Sequence, residues 1–107
     1  MFGYIKKFPD RPGYSEDITL DIKGGNMCVR WYLYDECYPG FEDHEFIIEN
    51  IPEVVFQQVF SLKTEYAILR FLKQFFKESI SAERLIQLLE SKNIPYIVKP
   101  DDEWFPG

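Results

Sequence analysis

Histidine, cysteine and long apolar runs are scarce in this chain. It has one histidine, His44, and two cysteines, Cys28 and Cys37. Two cysteines do not make the framework of a disulfide-stapled secreted domain. A metal site would need Cys37, His44 and carboxylates such as Asp35 or Asp43 to converge, and no close-spaced ligand motif is present. No apolar run approaches membrane-spanning length, and the opening Met-Phe-Gly-Tyr-Ile-Lys-Lys-Phe-Pro is not a secretory signal. A reduced, cytoplasmic setting with no membrane partner is the expectation. The glycines at 3, 13, 24, 25 and 40 form no phosphate-binding pattern. Asp35 to Glu45 does not follow the ligand spacing of a calcium loop.

Catalytic signatures are missing as well. General acid–base work needs two carboxylates held across a cleft with separated pKa values. The pairs here, Glu16/Asp17, Asp35/Glu36, Glu42/Asp43 and Asp101/Asp102, are sequence neighbours. His44 has no nucleophile placed beside it by a known spacing. No catalytic, cofactor-binding or metal-ligating residue is therefore assigned, and a non-enzymatic domain is expected.

Basic residues are absent from one long stretch. Asp35 to Glu53 holds seven acidic side chains and no Lys or Arg. Residues 1–62 hold eleven Asp/Glu against five Lys/Arg, while residues 63–107 hold seven of each, so the first part carries the whole formal charge of -6. A one-sided negative field speeds capture of a basic partner and repels nucleic acid.

Aromatic residues are plentiful, with ten Phe, seven Tyr and two Trp in 107 residues. That length fits one domain, residues 1–107. Its clearest local signal lies at Gly24-Gly25, where two alternating runs meet as a hairpin. With the turn there, Ile22 faces Met27, Leu20 faces Val29 and Ile18 faces Trp31 on one apolar side. Asp21 then faces Cys28 and Thr19 faces Arg30 on the other. A slip of one residue destroys the match.

Around the hairpin, Phe2–Phe8 and His44–Glu49 are expected as further strands. Asn50, with Glu53 three positions on and Pro52 in the first turn, reads as the cap of a helix over Ile51–Phe60, with Val55, Phe56, Val59 and Phe60 packing. Ser61 to Thr64 is a break or a continuation. Thr64–Lys77 is the strongest helix, apolar through Ile68, Leu69, Phe71, Leu72, Phe75 and Phe76, with Arg70, Lys73, Gln74 and Lys77 on its polar side. Ser81 caps a last helix, with Ile80 and Leu85 as a hydrophobic staple, and Asn93 ends it in the left-handed region. Ile94–Val98 is a final short strand near an edge because of Pro95. The expected fold is α+β: an N-terminal antiparallel β-meander of three to four strands packed against two to three C-terminal helices, with a short last strand. Residues 99–107 form an irregular acidic-aromatic tail.

The candidate contact residues follow from the interleaving of carboxylates and rings. They are Asp35, Glu36, Tyr38, Phe41, Glu42, Asp43 and Glu45 in and beside the acidic loop. Tyr32 and Tyr34 stand on the outer side of the second hairpin strand, and Asp101, Asp102, Trp104 and Phe105 lie in the tail. Carboxylates pair with cations, while rings give buried area at low entropic cost.

In size, charge and freedom from catalytic residues the chain resembles the immunity proteins that bacteria make against toxins, many of which are basic nucleases. The resemblance is to a class and carries no residue-level assignment. It implies an inhibitor that blocks a basic toxin. A nucleic-acid-mimicking inhibitor, a small regulatory or adaptor subunit and a small hydrolase using loop carboxylates are the alternatives.

Overall fold

The structure, a computed structural model, describes residues 1–8, 13–35 and 42–100, with Tyr14, Asp35, Glu42, Asp43, His44 and Pro100 described through their backbone. Gly24 and Gly25 lie at φ 62° and 79°. A two-residue hairpin turn twisted to suit its strands needs positive φ at both positions, which glycine adopts without penalty. They join β2 (Tyr14–Lys23) to β3 (Asn26–Asp35). The pairs Ile22 with Met27, Leu20 with Val29, Ile18 with Trp31, Asp21 with Cys28 and Thr19 with Arg30 all form as expected.

β1 (Phe2–Lys7) pairs with β2, β4 (Glu42–Pro52) with β3 and β5 (Ile97–Pro100) with β4, all antiparallel. The result is a five-stranded sheet in the order β1-β2-β3-β4-β5. Between β4 and β5 the chain forms α1 (Glu53–Phe60), α2 (Glu65–Phe75) and α3 (Ala82–Ser91). The α+β class and the N-terminal meander of four strands, with helices and a short last strand following, are as the sequence indicated.

The core lies between one sheet face and the helices. Ile18, Leu20, Ile22, Met27, Val29, Ile48 and Ile51 from the strands join Phe56, Ile68, Leu69, Leu72, Leu85 and Leu89 from the helices in one cluster. Burying an aliphatic or aromatic side chain contributes about 1.5–3 kcal/mol, so this face dominates stability. Trp31 extends the cluster along β3. Its ring meets Phe46 and Phe76 edge-on, at 5.9 and 5.6 Å between centroids, and its Nε1–H donates to the Ile80 carbonyl at 2.9 Å. The partner found by Nε1 ties the segment before α3 to the sheet.

Several boundaries differ from expectation, each for an identifiable reason. Asn50 is not a helix cap. Between the pairs Met27–Ile51 and Val29–Ile48, β3 supplies Cys28 alone while β4 supplies Glu49 and Asn50. This is a bulge, and Asn50 takes the left-handed conformation it needs, at φ 57°. Asparagine tolerates that region, so the residue that reads as a cap serves as a strand bend. β4 therefore continues to Pro52, and the Glu53 N–H donates to the Gly25 carbonyl at 2.9 Å before α1 begins.

Ser61 ends α1 at φ 55°, with the Leu62 N–H donating to Gln57 at 2.8 Å, so the Ser61–Thr64 segment is a break. Thr64 caps α2, its Oγ1 accepting from the Ala67 N–H at 3.0 Å. Ser81 holds the cap position of α3 without a side-chain cap bond, and Ile80 is 38% exposed. Asn93 adopts φ 55° as expected, and the Ile94 N–H returns to the Leu89 carbonyl at 2.9 Å. That return buries Ile94 and moves the last strand three residues on, to Ile97.

Candidate protein-interaction surface

Strand alternation gives the sheet a second face, on which no helix lies among the described residues. It carries Phe2 and Tyr4 from β1, Asp17, Thr19 and Asp21 from β2, and Cys28, Arg30, Tyr32 and Tyr34 from β3. β4 adds Glu45, Ile47 and Glu49, and β5 adds Ile97 and Lys99. Thr19 is the one buried polar residue among those described, at 7% exposure. It stands between Tyr4 and Arg30 on the neighbouring strands.

The register brings the outer-face tyrosines into line with carboxylate positions. Tyr32 pairs with Asp17 on one side and Glu45 on the other. Tyr34 pairs with Ser15 and Asp43, and Asp35 with Glu42. Tyr32 and Tyr34 are half-buried. Two basic residues of the same face offset part of the charge. Arg30 Nε lies 3.4 Å from Glu45, and Lys99 Nζ lies 3.2 Å from Glu49. Both pairs are solvent-accessible, so each contributes about 0–1 kcal/mol. Among the described residues no ion pair joins Arg70, Lys73 or Lys77 to the strand carboxylates.

β5 runs toward this end of the sheet. Ile97 pairs with Glu49 and Pro100 with Phe46, so the chain leaves β5 heading toward the Glu42 end of β4. Residues 35–45 contain five Asp/Glu and residues 101–103 three, with no Lys or Arg in either. β3 ends and β4 begins at this end of the sheet, and β5 points toward it. Glu36, Tyr38, Phe41, Asp101, Asp102, Trp104 and Phe105, with Cys37, lie outside the described residues.

A shallow hollow of about 210 Å³ opens at the bulge, lined by Asp21, Lys23, Asn26, Met27, Cys28, Glu49 and Asn50. Burial pushes the Cys28 thiol above its ordinary pKa, with Arg30 opposing and Glu49, Asp21 and Glu45 adding to the rise. A thiol held protonated is a poor nucleophile. Among the described residues no group of three or more His, Cys, Asp or Glu is placed to hold a metal ion. No helix there is long and apolar enough to cross a membrane.

The structure also exposes apolar residues that pattern reading did not offer as surface. Val54, Val55 and Val59 of α1 are 60%, 37% and 39% exposed, although Val55 and Val59 were expected to pack. On β1, Phe2 and Tyr4 are exposed, their rings edge-on at 5.6 Å. One sequence signal for β1 was Gly3, because a glycine inside a strand marks close approach. A Cβ there would come within 2.7 Å of Leu69 Cδ2. Compared with protein-family models, curated proteins and solved structures, the chain matches none.

Proposed function

We propose that this is a non-enzymatic, cytoplasmic protein-binding domain that captures a basic protein on the acidic end of its sheet. A toxin nuclease neutralised by an immunity or inhibitor protein is the partner type that fits. The carrying observation is the line of Tyr32 with Asp17 and Glu45, near the end of the sheet where β3 runs out and toward which β5 points. A basic protein meets carboxylates that steer it and rings that bury area once it has docked. Asp35, Glu36, Glu42 and Asp43 supply the steering in this reading, as do Asp101 and Asp102. Tyr38, Phe41, Trp104 and Phe105 are further anchors in this reading.

Affinity capture from the native cell, followed by kinetics with the purified captured protein, tests it. The expected partner is basic, and its association slows steeply as salt rises. Replacing Asp35, Glu36, Glu42 and Asp43 by Asn or Gln lowers the association rate by about tenfold and flattens the salt dependence, with little change in dissociation. Capture of nothing at low salt, or unchanged kinetics in the variant, overturns the reading.

A further inference from the structure

A surface of opposite sign runs along the other side of the molecule, where α2 lies against β1. Leu69 of α2 meets Gly3 of β1, and on the far flank Phe71 packs on Phe56 and Phe60 of α1. The helix flank bordering Leu69 and turned from α1 carries Tyr66, Arg70, Lys73 and, in the turn after it, Lys77. All four are exposed. Arg70, Lys73 and Lys77 form no ion pair among the described residues.

Below this stripe β1 is an edge of the sheet. Met1 and Ile22 exchange both backbone hydrogen bonds, at 2.7 and 2.8 Å. Antiparallel pairing alternates, so the backbone N–H and C=O of Phe2 and Tyr4 point away from β2. The Phe8 N–H donates to Glu16, which turns the groups of Lys7 outward as well. Between them lies the register shift at Ile5. Lys6 and Lys7 stand over the rings of Phe8 and Tyr4, at 5.1 and 5.3 Å.

The geometry points to an acidic, extended polypeptide segment as the occupant of the β1 edge, added as a further strand beneath the basic stripe of α2. Outward backbone groups of Phe2 and Tyr4 supply the ladder, the two rings flank it, and Arg70, Lys73 and Lys6 take its carboxylates. Edge lysines normally deter strand addition, but they deter a basic or neutral strand and attract an acidic one. Asp17 and Asp21 lie on the far side of β1 from the added strand, about a Debye length away in physiological salt. This surface is separate from the acidic end, so the two readings fail independently.

The test uses the full chain and a fluorescein-labelled peptide alternating Glu with Val. Binding weakens with salt, and Arg70→Glu with Lys73→Glu weakens it by about tenfold, as two exposed contacts turn repulsive. Methylating alternate backbone nitrogens of the peptide abolishes binding. So does Tyr4→Pro, which removes an outward N–H that β2 does not use. If Tyr4→Pro fails to fold by circular dichroism, the methylated peptide and the α2 variant decide alone.

Five results overturn the proposal. The Glu-Val peptide fails to bind; the methylated peptide binds equally well; the Arg70→Glu, Lys73→Glu variant binds equally well; an oligothymidylate binds as tightly, which makes the surface a general polyanion site; or sedimentation shows a dimer that Tyr4→Pro dissociates, which assigns the edge to a second copy.

Discussion

The two faces of the sheet obey different rules. On the helix side, Leu20, Met27, Val29, Ile48 and Ile51 are all at 0% exposure. On the other side the sheet presents tyrosines, carboxylates, Arg30 and Lys99, most of them half-exposed. The first face needs shape and apolar volume, and the second needs neither to stay folded. What it displays is available for a task other than stability.

That contrast can be broken at its strongest point first. Leu20→Ala empties a site with no route to solvent and is expected to cost about 2–5 kcal/mol by urea denaturation. Arg30→Ala, nearly opposite in space, is expected to stay within about 1 kcal/mol. Comparable losses at the two positions would mean that the outer face is structural. Gly3→Ala probes the seam between β1 and α2. Leu69 must shift to admit the methyl group, at an expected cost of about 1–3 kcal/mol, read from the same transition. Trp31→Phe keeps a ring but drops the donor to Ile80. A loss of about 0.5–1.5 kcal/mol is expected. No loss would show that water replaces the bond and that the segment before α3 is held by packing alone.

How much of this was legible beforehand depends on the kind of signal. Gly24-Gly25 fixed a register that alternating sequence on both sides could check, so the hairpin was readable pair by pair. Asn50 was ambiguous because caps and bulges both use a short polar residue that tolerates positive φ. Only pairing with the Met27–Val29 segment, distant in sequence, separates the two. In α1, two turns of helix cannot say which flank is buried. The continuation of β4 through Pro52 sets the rotation, which seats Phe56 and leaves Val55 and Val59 outside. For the interaction surface, the alternation of Tyr32 and Tyr34 with Arg30 was visible, whereas their alignment with Asp17 and Glu45 required the neighbouring strands. The basic flank of α2 was visible as a polar stripe, but its place above the β1 edge follows only from the contact of Leu69 with Gly3.

Strand order has a consequence for how the molecule comes into being. Four strands neighbour one another in the order in which they are synthesised, so each new one can add to a partner already present. β5 differs, because its partner is separated from it by the entire helical segment, and the loop it closes is the longest in the sheet. The join between β4 and β5 is thus expected to fasten last and to open first. In native-state hydrogen exchange, the amides of Ile97 to Lys99 should give up their protons well before those of Leu20 or Val29.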